Sequence, residues 1–227
     1  MKVFLCMVLA VACFAPPSIA IDCGNNRCSR SGRRQTLCKY PNSSPAPSCG
    51  QVLVVGLTDA ERKGIVNLHN FLRLYVAAGK ETRGNPGPQP AARNMQTMSW
   101  DSELEQVAQR WANQCSFGHD ECRDVERYGV GQNVAQTSTT GQQNSKPTDL
   151  VMMWYNEVKN FDRNEVNRLT TNNFSKVGHY TQLVWANSNK IGCGKIIFKS
   201  GQWNNFYLVC NYGPTGNYIG QPLYERA

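Results

Sequence analysis

IGCGKIIFKSGQWNNFYLVC, residues 191 to 210, reads as two strand-forming runs folded about a turn at Ser200-Gly201-Gln202. β-Branched and aromatic residues fill both runs, and glycine beside a polar residue is the chemistry of a tight hairpin turn. Cys193 and Cys210 stand equally far from the point between Gly201 and Gln202. A simple hairpin therefore sets them opposite one another, within bridging reach. The sheet that contains them is antiparallel.

Just upstream, GHYTQLVW (178 to 185) has the content of a further buried strand, with His179 at its mouth. The chain before it is helical. Thr58-Asp59-Ala60-Glu61 is a capping box, and Ile65, Leu68, His69, Leu72 and Val76 follow at spacings of three and four up to Gly79. A second helix starts at Ser99 or Asp101 and runs to about Cys115, with Leu104, Val107, Ala108, Trp111 and Ala112 on one face. A third opens at Pro147 or Thr148, with Leu150, Met153, Trp154, Val158 and Phe161 as its apolar face. GNPGPQPAARN (84 to 94) and QTSTTGQQNSKPTD (136 to 149) read as loops. Helices come first, strands last and no βαβ repeat intervenes, so the fold class is α+β with an antiparallel sheet.

Two polar residues break the apolar helical faces. His69 lies on the first, where a histidine is most often a satisfied core residue. Glu157 lies on the third, where a carboxylate costs several kcal/mol, on the order of a lost buried pair, unless it is partnered. A histidine is the natural partner. Cys115, His119 and Cys122 have a spacing that a zinc site can use, but an exported, cysteine-rich chain favours disulfides over a Cys-His metal site.

Export is read from residues 1 to 20, where Lys2, an apolar run and Ser18-Ile19-Ala20 form a secretory leader. Its apolar run is too short to span a bilayer. Cys6 and Cys13 leave with it, and the eight remaining cysteines imply four bridges whose connectivity spacing alone leaves open. Residues 21 to 56, rich in Cys, Gly, Ser and Pro, read as an irregular extension, and residues 57 to 227 as the main domain. The formal net charge is +8. Its densest part, Arg27 to Lys39, reads as a solvated basic surface, with no nucleic-acid module beside it. Asn42-Ser43-Ser44 and Asn173-Phe174-Ser175 are glycosylation sequons.

GHYTQLVWANS (178 to 188) and YLVCNYGPTGNY (207 to 218) resemble the two signature segments of the CAP superfamily, which groups cysteine-rich secretory proteins, antigen 5 and pathogenesis-related proteins. ETRGNPGPQP (81 to 90), QRWANQC (109 to 115) and CRDVERYGVGQNVA (122 to 135) narrow the resemblance to the antigen 5 venom allergens of stinging insects. It implies an α-β-α sandwich stabilised by bridges Cys23–Cys38, Cys28–Cys122, Cys49–Cys115 and Cys193–Cys210. It also implies a cleft of two histidines and two acids, matched here to His69, His179, Glu157 and, in place of the second acid, Gln132.

Zinc at His69 and His179 is the one cofactor this cluster suggests; none is required. Gln132 supplies no negative charge, so the site is a weak one. No G-x-S-x-G or H-E-x-x-H is present, and an amide at 132 is no general base. The resemblance thus points to a secreted, monomeric, non-enzymatic venom or salivary allergen. Its expected partners are a small lipid or a host protein, and antibodies in sensitised hosts. The competing reading is a metal-dependent hydrolase using His69, His179 and Glu157.

Overall fold

The structure, a computed structural model, describes residues 21–227; the leader lies outside the described residues. Short helices α1 (Arg27–Arg30) and α2 (Thr36–Lys39) precede strand β1 (Gln51–Val55) and helix α3 (Asp59–Ala77). Then come β2 (Ser99–Trp100), α4 (Ser102–Ala112), β3 (Gly131–Thr139), α5 (Pro147–Tyr155), α6 (Phe174–Leu183), β4 (Lys190–Ser200) and β5 (Trp203–Gly213). The sheet order is β1-β4-β5-β3, antiparallel throughout, with the short β2 added parallel to β4.

The hairpin pairs as its symmetry requires, Ser200 opposite Trp203 and Cys193 opposite Cys210, with a Cα separation of 4.1 Å at the bridge. Gly201 takes φ 58°, the left-handed conformation that glycine adopts without penalty. Period-two alternation along β5 divides the molecule into layers. Phe206, Leu208, Cys210 and Tyr212 pack into a core with Ile65 and Leu72 of α3, Trp154 of α5 and Tyr180 of α6. Tyr207 and Val209 face the opposite way, against Ala108, Trp111 and Ala112 of α4. At Gly192 and Gly194 a Cβ would fall on the backbone of α4, so these glycines let helix and sheet close. This is the α-β-α sandwich.

All four disulfides form: Cys23–Cys38, Cys28–Cys122, Cys49–Cys115 and Cys193–Cys210. Ion pairs Arg30–Glu126 and Lys39–Glu121 also dock the basic N-terminal segment onto the 121–126 loop. Thr58 and Glu61 form the capping box, and Asp101 caps α4.

Three local readings are corrected. GHYTQLVW is helix, not strand: it occupies the second half of α6 and the turn after it. Val177, Tyr180, Thr181 and Val184 recur at helical spacing and are buried, and a window that starts at Gly178 conceals the first of them. β-Branching lowers helix propensity by only a few tenths of a kcal/mol per residue, about what one tertiary hydrogen bond overrides. Residues 136–139, read as loop, extend β3, because β5 offers a full ladder as far as Asn204. Gln51–Val55, assigned to an irregular extension, is a strand on β4.

Candidate functional site

The site assembles around the middle of α6, from Gly178 to Tyr180. Several groups outside this helix bond to its backbone. Glu157 Oε2 accepts from the amides of His179 (2.9 Å) and Tyr180 (3.1 Å). Asn217 Nδ2 donates to the Gly178 carbonyl, and Asn133 Nδ2 to the His179 carbonyl. Glu157 reaches α6 because α5 ends at Tyr155 and tightens into a 3-10 turn over Asn156–Asn160. Its other oxygen accepts Nδ1–H of His179 at 2.6 Å, and the Trp154 indole stacks on the same imidazole at 6.2 Å. A carboxylate that accepts from three donors is the partnering that its place near an apolar face demands.

A second imidazole, His119, meets Gln132 rather than an acid. Gln132 Nε2 donates to Asp120 Oδ1 (3.1 Å) and Asn211 Oδ1 (3.0 Å). Both neighbours are acceptors, so the amide orientation is dictated, and its oxygen faces His119 Nδ1 at 2.8 Å. His119 therefore carries its proton on Nδ1. Its pKa lies below the ordinary histidine value, first through partial desolvation; the positive charge of Arg123 adds to this, while the Gln132 bond and the Asp120 charge oppose it. Asp120 is buried and also accepts from Thr36 and Arg123, which ties this corner to the N-terminal extension.

His119 and His179 line one cleft of about 250 Å³ with Gln132, Asn133, Phe174, Ser175, Gly178 and Asn217. Neither Nε2 has a hydrogen-bond partner among the described residues, and each Nδ1–H is held by an oxygen. Two imidazoles oriented by outer acceptors, with free Nε2 lone pairs, form a donor set suited to a borderline divalent ion.

His69 is not part of it. It is fully buried, its Nδ1–H donates to the Ile65 carbonyl (2.8 Å), and its Nε2 accepts from the Tyr212 hydroxyl (2.9 Å). Burial lowers its pKa to about 4, so it is a neutral core residue with both nitrogens engaged. The match of His69 to the first cleft histidine is corrected to His119. Of the four residues grouped from the sequence, the structure brings Gln132, Glu157 and His179 to the cleft and its supporting layer and leaves His69 in the core. From sequence, His119 stands in a cysteine cluster that reads as disulfides rather than as a metal site. Yet those cysteines bridge to Cys49 and Cys28, so the seven-residue step between them is a loop pinned at both ends. A histidine held so tightly at the surface is the available signal. Of the sequons, Asn173 immediately precedes α6 and is exposed; Asn42 is exposed in the N-terminal segment.

A second concavity, about 430 Å³, runs beside α3 and is lined by Val66, Met98 and Trp100 together with Asp59, Arg62 and Lys63. Among the described residues no helix is long and apolar enough to cross a membrane.

Residues 66–212 match the model of the CAP, cysteine-rich secretory protein family. Venom allergen 3 of Solenopsis invicta is 52% identical over 206 residues, covering 89% of this chain and 88% of the relative. Venom allergen 5 of Dolichovespula arenaria is 52% identical over 205 residues, covering 89% of this chain and all of the relative. Among solved structures, NaASP2 with Zn2+ superposes with a TM-score of 0.65 at 35% identity, covering 76% of this chain and 88% of that one. The chain belongs to the CAP family of cysteine-rich secretory proteins and, within it, is a relative of the insect venom allergens.

Proposed function

We propose that this venom-allergen relative is a secreted, non-enzymatic binding protein whose cleft takes a divalent cation, zinc in the first instance, on Nε2 of His119 and of His179. The observation that carries the reading is the matched pair of imidazoles, each with its Nδ1–H on an oxygen acceptor and its Nε2 free in one cleft. NaASP2, with the same fold, has been solved with Zn2+. Two neutral nitrogen ligands without a carboxylate make a weak site, with water filling the remaining positions. A bound cation would supply Lewis acidity; the chain's own residues orient the imidazoles and set their tautomers.

Hydrolysis is poorly served by the same geometry. Ser175 stands one helical turn before His179 and lines the cleft, but its hydroxyl has no hydrogen bond among the described residues. Glu157 already accepts from three donors, which leaves it little capacity as a base. The expected partners outside the cleft are antibodies in sensitised hosts, after the relatives' names as allergens, and a small lipid. The apolar stretch of Val66, Met98 and Trp100 in the groove beside α3 favours the lipid.

Isothermal calorimetry with zinc tests the cation. Binding lost in both His119→Ala and His179→Ala, but kept in Tyr212→Phe, is the expected pattern. Heat that survives in either histidine variant refutes the site. Co-elution of a radiolabelled fatty acid, lost in Trp100→Ala, tests the groove.

A further inference from the structure

We infer that Asn173 carries an N-linked glycan that stands at the mouth of the His119–His179 cleft and restricts it to ions and small molecules. The screening rests on the proposed cleft; the modification does not.

The sequon is Asn173-Phe174-Ser175, and its second and third residues are themselves cleft wall. Asn173 and Ser175 are exposed, and the Asn173 side chain makes no capping bond to α6. With φ 54° the residue takes the left-handed conformation in which asparagine is favoured among non-glycine residues, and among the described residues its Nδ2 has no hydrogen-bond partner. Asn42 differs: its side-chain oxygen is engaged by the Ser44 amide, and no residue of its sequon lines the cleft.

The covalent step is a transfer from a polyprenyl-diphosphate-linked oligosaccharide in the export pathway. Asn173 Nδ2 bonds to C1 of the donor's first sugar as the C1–O bond to the diphosphate breaks. The amide gives up one proton, and polyprenyl diphosphate leaves. Consecutive Cα atoms are about 3.8 Å apart, so the sugar is rooted one residue step from Phe174 and two from Ser175. A glycan is bulky and mobile compared with a 250 Å³ cleft. Rooted beside two residues of the cleft wall, a chain of several sugars is long enough to swing across the opening. Hydrated ions and small ligands pass, and a folded partner's surface is held off.

The chain's histidine count makes the test clean. There are three histidines, and His69 is fully buried, so His119 and His179 are the ones a solid support can reach. The untagged full-length chain is secreted from insect cells as wild type, Asn173→Gln, and Asn173→Gln combined with His119→Ala and His179→Ala. Peptide mass spectrometry after peptide-N-glycosidase reads conversion of Asn173 to Asp; an unmodified Asn173 peptide overturns the proposal at its first step. Retention on copper-iminodiacetate beads then reads access. The Asn173→Gln protein should elute at several-fold higher imidazole than the glycosylated wild type, and the variant lacking both cleft histidines should flow through. Equal retention of the two forms, or no retention of Asn173→Gln, overturns the screening. One imidazole suffices to hold bead copper, so this arm remains decisive if free zinc fails to bind. Zinc calorimetry, expected to be the same with and without the sugar, reports separately on the cation reading.

Discussion

The Tyr212 hydroxyl donates to Nε2 of His69 at 2.9 Å, and the same oxygen accepts from Nδ2 of Asn133, a cleft residue, at 3.3 Å. Asn133 also donates to the His179 carbonyl. His69 is thus a buried anchor joined to the His179 backbone through Tyr212 and Asn133 rather than a ligand in the cleft. Tyr212→Phe leaves Nε2 of His69 buried without a donor, which costs about 1–3 kcal/mol. Urea unfolding with the disulfides intact should show that loss, while the zinc heat stays unchanged. A variant as stable as wild type would mean that the Tyr212 bond contributes nothing.

His69 also sets a pH dependence. Its folded pKa of about 4 lies below the unfolded value of about 6.5. Between these values the unfolded chain binds the extra proton, so stability rises with pH. The contribution is complete above about pH 6.5 and lost as pH falls towards 4, a total on the order of 3 kcal/mol. In His69→Gln the fall in stability between pH 6.5 and 4 should be shallower than in wild type. Parallel curves would remove His69 as its source.

Arg73 is a buried cation held entirely by carbonyl oxygens. Its guanidinium donates to Gln96, Leu183, Trp185, Ala186 and Ser188, and burial lowers its pKa to about 10. Four of these carbonyls lie at the end of α6 and on the turn that follows it, so Arg73 pins the exit of the helix that carries His179. Arg73→Met orphans them and should cost at least about 3 kcal/mol. Arg73→Lys should recover little of it, since an ammonium lacks the planar fork that reaches five acceptors. Thermal unfolding of the two variants checks this; a fully rescued lysine variant would contradict it.

The helical faces of α3 and α4, the hairpin and its bridge were legible because each rests on a short-range period or symmetry. The cleft was half legible. Glu157 announced itself as an acid near an apolar face, and its partner is the histidine the family resemblance supplies. His119 was not legible from local pattern: the resemblance implies the two bridges that pin its loop, but which histidine meets Gln132 and His179 depends on how β3 and α6 come together in space. The α6 misreading has the same root. Its conformation is supported by Glu157, Asn217 and Asn133, none of which is local.

The amide at position 132 is a choice dictated by Asp120. Gln132 Nε2 lies 3.1 Å from the Asp120 carboxylate, and an acid there would set two carboxyl groups against each other with Asn211 Oδ1 as a third acceptor. One of the two acids would then be held protonated, with its pKa raised in the folded state. A raised carboxylate pKa destabilises above the unfolded value of about 4 and is relieved as pH falls towards it. Gln132→Glu should therefore be less stable than wild type by about 1–3 kcal/mol at pH 7, with the gap closing towards pH 4. With the shared proton on Asp120, the carboxylate at position 132 would bond His119 Nδ1 as Glu157 bonds that of His179, and this should tighten zinc. Paired urea titrations at pH 7 and 4.5, with calorimetry at pH 7, separate the two effects. A gap that does not change with pH would show that Asp120 does not govern position 132, and the neutral amide would need another explanation.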